Sequence, residues 1–302
     1  MIKALVTGGN GFLGHYIVRH LLKRRIETVS FDERKMTDSE YEGISSSSDL
    51  TCIQGDILDR KALRDAMDGC SLVFHTAAIA DIDETRKIPT RTMEVNVLGT
   101  AMCLEAAHQC DVRRFLYASS VYTGGNWGSF YRVSKTAGEL LVKAYEEEFG
   151  LEYSILKYGS LYGREANHWN FIYGICKSLL MDGEYTYTNS PDSMREYIHI
   201  DDAARETVSI SLAQEYINKS VLITGHQRLK IKELFDTLEE ILGKKIKIHY
   251  NTSIPPRHYI RTPYSFERDV PVRVNLSQYI DISEGILDCL NEVQNEIDET
   301  SR

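Results

Sequence analysis

The segment Leu5-Val6-Thr7-Gly8-Gly9-Asn10-Gly11-Phe12-Leu13-Gly14 decides the fold. An apolar run from Ile2 to Val6 leads into it, and an amphipathic stretch from Phe12 to Arg24 leaves it. Gly9-x-Gly11-x-x-Gly14 fits the dinucleotide fingerprint between a strand and a helix, and Gly8-x-x-Gly11-x-x-Gly14 fits a close variant. Gly8 and Gly9 permit the tight turn, Gly11 lets backbone N–H groups approach a pyrophosphate, and Gly14 lets the helix pack close to the sheet. Unpaired N–H groups and the helix dipole favour the anion there. Gly8, Asn10, Gly11, Phe12, Leu13 and Gly14 are the expected cradle. A glycine-rich turn with no ligand is the bland alternative, and the flanking strand and helix argue against it.

Glu27 to Phe31 reads as the next strand, and Asp32 ends it at the spacing of a ribose partner. A carboxylate there accepts hydrogen bonds from the 2′-hydroxyl of NAD and repels the 2′-phosphate of NADP. Arg34 and Lys35, just beyond, are the residues that would meet that phosphate instead. Asp56-Ile57 follows a further strand and is a candidate for the adenine edge; Asp56 also reads as a helix N-cap.

Further outward, Leu50 to Gln54, Leu72 to Thr76 and Arg114 to Ala118 are strand-like runs with helical segments between them. That alternation predicts βαβ units, a parallel sheet and helices on both faces. After about residue 165 the segments shorten, with aromatics and prolines at Pro255-Pro256, Pro263 and Pro271. The expected architecture is α/β: a Rossmann doubly wound parallel sheet over 1–165 and a smaller C-terminal α+β substrate-binding domain over 166–302. Residues 195–215 are expected to return to the first domain. Ser45-Ser46-Ser47-Ser48 reads as a surface loop, and the tail from Glu292 to Arg302 as frayed helix.

With 302 residues, 42% hydrophobic and 26% charged, the chain has the composition of a globular protein of about two domains. A net charge of −9, with no basic cluster beyond Lys23-Arg24-Arg25, argues against a nucleic-acid partner. No apolar stretch approaches the roughly 20 residues of a bilayer span, and the strand at the N-terminus leaves no room for a signal peptide. Six cysteines, at 52, 70, 103, 110, 176 and 289, form no Cys-x-x-Cys pair. They read as reduced thiols of a cytoplasmic protein, without a disulfide or metal site.

Residues 131–135 read Tyr-Arg-Val-Ser-Lys. On a helix Tyr131 and Lys135 share a face. A free tyrosine, with a pKa near 10, is a poor base at neutral pH. A neighbouring ammonium, with a cationic nicotinamide, would favour the phenolate and lower that value. By itself the spacing is equally that of an exposed helix face.

Together with the glycine loop, these residues resemble the extended short-chain dehydrogenase/reductases, in particular the NAD-dependent epimerase/dehydratase family acting on nucleotide sugars. Thr7 to Gly14 is similar to that family's TGxxGxxG, and Tyr131 to Lys135 to its Tyr-x-x-x-Lys. His75-Thr76-Ala77-Ala78, Asn96-Val97-x-Gly99-Thr100, Ser119-Ser120-Val121-Tyr122 and Arg195-Glu196-Tyr197-Ile198-His199-Ile200-Asp201-Asp202-Ala203 resemble further family segments, in family order.

The resemblance implies that Ser120 hydrogen-bonds the reacting oxygen, Tyr131 takes or returns the proton, and Lys135 holds the nicotinamide ribose. It implies that Ala77, Ala78, Asn96 and Tyr158 line the cofactor, and that Arg195 meets the substrate diphosphate. Trp127, in the short loop before Tyr131, either closes over a sugar or anchors the loop. Ser160 stands where the family often has an asparagine at the substrate phosphate, and Arg257 is a candidate contact from the cap. The dehydratase branch carries Asp-Glu after the catalytic hydroxyl residue; Val121-Tyr122 here cannot supply that acid and base.

The resemblance therefore implies hydride transfer at C4 of a nucleotide sugar, as a 4-epimerase. A C4 dehydrogenase releasing a keto-sugar and a reductase of another ketone are the alternatives. A regulator that keeps the dinucleotide site is a further class, and the retention of Tyr131 and Lys135 argues against it. Val133, Ala137, Leu140, Leu141, Ala144 and Tyr145 make more than one apolar stripe on the Tyr131 helix, which the resemblance relates to a homodimer.

Overall fold

A continuous apolar strand, a glycine turn and an amphipathic helix fold as one unit at the N-terminus. The computed structural model describes residues 2–36, 49–251, 258–261 and 270–300. Strand β1 (Lys3–Thr7) is buried along four of its five residues, and helix α1 (Phe12–Lys23) buries Tyr16, Ile17, Val18 and Leu21 against the sheet. Burial on both faces is what a central parallel strand requires. The succession continues with β2 (Glu27–Asp32), β3 (Leu50–Gln54), α2 (Arg60–Met67) and β4 (Leu72–His75). Then come α3 (Ile82–Lys87), α4 (Pro89–Met93), a π-helical turn (Glu94–Leu98), α5 (Gly99–Gln109) and β5 (Arg114–Ser120). Helix α6 (Ser129–Phe149) and β6 (Glu152–Tyr158) complete this run.

Among the described residues the main sheet has eight strands, in the order β13-β10-β6-β5-β4-β1-β2-β3. Every pairing in it is parallel. The 3-2-1-4-5-6 order within it is that of the Rossmann fold. Alternate residues of β1 feed opposite cores. Ala4 and Val6 join α1 and α8 (Ile200–Leu212), while Leu5 joins residues of α2, α5 and α6. The helices thus cover both faces, as the doubly wound reading expects. Two strands come from the C-terminal half: β10 (Lys219–Ile223) beside β6, and β13 (Val272–Arg273) beside β10.

Residue Arg114, at the start of β5, is fully buried. Its guanidinium donates to the carbonyls of Ile210, Ser211 and Ala213 at the end of α8, and to Ser154 Oγ on β6. It therefore ties α8 to the sheet by satisfying carbonyls that a helix C-terminus leaves without partners.

The rest of the chain builds a second core. Strands β7 (Ser160–Tyr162), β9 (Met194–His199) and β11 (Arg228–Lys230) form a three-stranded sheet, and β8 (Glu184–Tyr187) pairs with β12 (Lys247–Tyr250). Helices α7 (Phe171–Met181), α9 (Ile231–Leu242) and α10 (Ile282–Thr300) pack there around Tyr162, Ile175, Leu234 and Ile286. Segment 195–215 straddles the two cores, since β9 lies in the small sheet and α8 packs on α1. The expected fraying from Glu292 is corrected. Helix α10 continues to Thr300, because Val293 is buried and Ile297 packs on the same core. The Ser45–Ser48 loop lies outside the described residues.

Candidate active site

Strand β1 ends in the glycine turn, which sits between the carboxyl ends of β2 and β4. Gly8 N donates to Phe31 O at 2.8 Å and Gly11 N to Gly8 O at 2.9 Å. A Cβ at Gly14 would collide with the Gly8 carbonyl, so only glycine lets α1 start this close to the turn. Gly11 caps α1 without a side-chain hydrogen bond, and the first turn holds no carboxylate. The helix N-terminus is therefore shaped for an anion. Phe12 and Leu13 pack their side chains on the core, leaving their backbone to the turn. Ala77, beyond β4, lies against Gly8, where a Cβ would approach its N at 2.7 Å.

Asp32 is buried at the end of β2. Its carboxylate accepts from Asn10 N at 3.0 Å and Arg34 N at 2.9 Å. Arg34 folds back, donating to Asn10 O, with its Nε 3.9 Å from the carboxylate. Lys35 is exposed. The β2–β3 register sets Gln54 beside Asp32, and Gly55 N donates to Asp32 O at 2.8 Å. Asp56 accepts from Leu58 N at 2.9 Å, whereas the N-cap of α2 is Asp59. Ile57 is buried against Gly99. An anion-shaped turn beside a buried carboxylate fits the pyrophosphate and ribose of a dinucleotide.

Helix α6 approaches β5 closely because Gly138 has no Cβ; one would strike the Tyr117 hydroxyl. That approach brings Tyr131 to Ser120, with which it is hydrogen-bonded. Lys135, one turn on, is buried and donates from Nζ to Ala118 O at 2.8 Å. Its Nζ lies 6.0 Å from the centre of the Tyr131 ring. The expected lowering of Tyr131 involves the cationic nicotinamide as well as Lys135, and in the protein alone burial outweighs it. Burial raises the phenol to about 12, and the Ser120 hydrogen bond opposes that rise. Burial lowers the Lys135 ammonium to about 8, against the pull of the Glu139 carboxylate.

Asn96, Tyr158 and Arg195 are engaged by protein partners. The Asn96 amide is engaged by the Ile79 backbone, through N–H at 2.8 Å and O at 2.9 Å, and by Ser134 Oγ. It latches the loop after β4 to α6 rather than presenting a free amide. The Tyr158 hydroxyl is bound to Thr207 Oγ1 at 2.6 Å within the core, so it faces α8. Arg195 is buried, donates to Met194 O at 2.9 Å and Tyr259 O at 2.5 Å, and stacks on the Tyr259 ring. Its guanidinium is thus held by segment 258–261. Ser160 opens β7, half-buried, and Trp127 is 38% exposed before α6. Arg257 lies outside the described residues. No metal-ligating cluster of three or more His, Cys, Asp or Glu occurs among the described residues.

The sequence reading missed two groups beside the site. The Tyr122 hydroxyl is 2.6 Å from His258 Nδ1, and its ring lies edge-on to Tyr131 at 6.2 Å. Behind Lys135, Glu139 contacts Ser119 and Lys157. Only the four-residue step from Lys135 to Glu139 signalled either group in advance.

A family model described as the NAD dependent epimerase/dehydratase family matches residues 4–219. A Methanocaldococcus jannaschii protein named "Putative UDP-glucose 4-epimerase" is 26% identical over 312 residues, covering 96% of this chain and 98% of that protein. Among solved structures, a UDP-glucuronic acid 4-epimerase from Bacillus cereus, with UDP-glucuronic acid and NAD, superposes with a TM-score of 0.86. It is 22% identical, over 98% of this chain and 100% of that one. A double mutant of DesIV, a dTDP-glucose 4,6-dehydratase from Streptomyces venezuelae with NAD bound, superposes at 0.83. It is 23% identical, over 99% of this chain and 98% of that one. At these identities the two structures speak for the fold alone.

Proposed function

The chain belongs to the NAD dependent epimerase/dehydratase family, and from that membership we propose that it is a nucleotide-sugar 4-epimerase. The observation that carries this reading is the grouping of Ser120, Tyr131 and Lys135 at the carboxyl edge of the same sheet that ends β1 in the glycine turn. NAD, when bound, supplies the acceptor for the C4 hydrogen and gives it back. The glycine turn would hold its pyrophosphate and Asp32 its adenosine ribose. Ser120 orients the C4 oxygen by its hydroxyl. Tyr131 takes the hydroxyl proton as C4 is oxidised and returns it when the other face is reduced. The Lys135 ammonium stabilises the phenolate form in which Tyr131 accepts that proton. A dehydratase would need an acid and base after Ser120, but Val121 is buried and Tyr122 is bonded to His258.

One observation favours a C4 dehydrogenase as a second reading. Epimerisation needs the keto-sugar held by its nucleotide while the ring turns over, and Arg195 is already engaged by Met194 and Tyr259. Incubation with UDP-glucose, UDP-glucuronic acid and UDP-N-acetylglucosamine separates the readings. A C4 epimer without stoichiometric NADH supports the epimerase; a 4-keto-sugar formed in step with NADH, and no epimer, supports the dehydrogenase.

Asp32→Ala is expected to weaken NAD binding by roughly 10–100-fold, the range of a hydrogen bond to a charged group. It should also relax discrimination against NADP. Titration of both nucleotides checks this. Tighter binding of NADP than of NAD by the unchanged protein would assign the pocket to Arg34 and Lys35.

The protein is expected to be a homodimer. The two stripes of α6 diverge: Leu141 and Tyr145 pack inward, whereas Phe130, Val133 and Leu140 are exposed, Leu140 to 64%. Leu98, ahead of α5, is exposed as well. Sedimentation at micromolar concentration should give a dimer, and Leu140→Asp a monomer. A monomeric unchanged protein contradicts this assignment. A cytoplasmic location is part of this proposal, resting on the reading of six cysteines without a Cys-x-x-Cys pair as reduced thiols.

A further inference from the structure

Tyr131, Lys135 and Glu139 succeed one another at one-turn intervals on the side of α6 that faces β5. Glu139 is 9% exposed. Its carboxylate accepts from the Ser119 hydroxyl and pairs with Lys157 Nζ at 3.3 Å. Ser119 and Lys157 stand opposite each other in the β5–β6 register. Ser119 lies between Ala118, whose carbonyl holds Lys135, and Ser120, which meets Tyr131. A buried ion pair is poor value for stability alone, because desolvation consumes most of the attraction. This pair sits where its charge acts on the reacting residues.

We propose that Glu139 is a positioning residue for Lys135: clamped by Ser119 and Lys157, its carboxylate keeps Lys135 an ammonium, directed at the Ala118 carbonyl beside Tyr131. The proposal rests on the reading that Tyr131 and Lys135 carry the chemistry.

Among the described residues, these groups face Lys135. Its own helix contributes Tyr131 and Glu139. From β5 come the Tyr117 ring, 5.2 Å from Nζ, and the Ala118 carbonyl. From β4 comes His75, which burial holds neutral with a pKa of about 3 and which bonds Thr7 and Thr100. Lys157 on β6 acts through Glu139. Of these groups only Glu139 is negative. Burial alone depresses Lys135, and Glu139 opposes it. Neutralising Glu139 should therefore lower Lys135 further, as the loss of an opposite charge does. Activity that needs the ammonium is lost as pH rises through the Lys135 pKa, so that loss should move to lower pH.

The test is a 13C NMR titration of protein labelled at lysine Cε, with the Lys135 signal assigned by its loss in Lys135→Met. Lys135 should titrate near 8 in the unchanged protein. In Glu139→Gln, which keeps an acceptor for Ser119, its proton affinity should fall about tenfold or more. The alkaline limb of kcat should move with it, and Glu139→Asp should restore part of both. Because Glu139→Gln removes the carboxylate that Lys157 pairs with, the double variant Glu139→Gln/Lys157→Met provides a second, better-balanced protein and should show a smaller displacement in the same direction. A folded double variant in which Lys135 titrates as in the unchanged protein overturns the proposal. Displaced titration with an unmoved kcat profile upholds the role of Glu139 and instead contradicts the catalytic reading of Lys135.

Discussion

Tyr131→Phe lowers turnover by roughly 10²–10⁴ while leaving NAD binding nearly intact, the range expected for loss of a general acid–base group. The substitution removes one oxygen and keeps the ring. That oxygen is the atom hydrogen-bonded to Ser120, and the glycine turn and Asp32 do not depend on it. Burial raises Tyr131 to about 12, so the neutral phenol predominates at neutral pH until charge in the assembled site offsets burial. Proton transfer should then quicken as pH rises, until Lys135 loses its proton near 8. Steady-state kinetics and NAD titration of the variant check this. Unchanged turnover would remove Tyr131 from the chemistry.

Arg114→Leu destabilises the fold by about 3–5 kcal/mol, because it strands several buried acceptors at once. The guanidinium serves Ile210 O at 3.2 Å, Ser211 O at 3.1 Å and Ala213 O at 2.8 Å, all at the end of α8. Leucine fills part of the volume but donates nothing to those carbonyls. Burial lowers Arg114 to about 10, so it remains charged across the neutral range. Urea denaturation gives the difference directly. A loss below about 1 kcal/mol, the worth of a single ordinary hydrogen bond, would mean that water replaces the guanidinium.

The features legible in the sequence were those set by short-range periodicity. The glycine turn, the strand ending at Asp32 and the shared face of Tyr131 and Lys135 each follow from residues within about twenty positions. Strand β10 escaped notice because Lys219–Ile223 is short and its partner β6 lies more than sixty residues earlier. Strand β13 has only two residues, too few for any pattern. Side-chain direction was the other gap. Motif position gave Tyr158 and Arg195 roles at ligands, but distant partners decide where their polar atoms point: Thr207 for one, the Tyr259 carbonyl for the other. Glu139 could be put on the face of Lys135 by counting turns, yet its worth depends on the β5–β6 register that delivers Lys157.

The most direct test of the account follows the C4 hydrogen itself. UDP-glucose, UDP-glucuronic acid and UDP-N-acetylglucosamine carrying deuterium at C4 are incubated with the protein and NAD, and the products are resolved by mass spectrometry and NMR. The account predicts a C4 epimer that retains deuterium at C4, with no build-up of reduced nicotinamide. A released 4-keto-sugar, with its deuterium recovered stoichiometrically in the nicotinamide and no epimer formed, would contradict it.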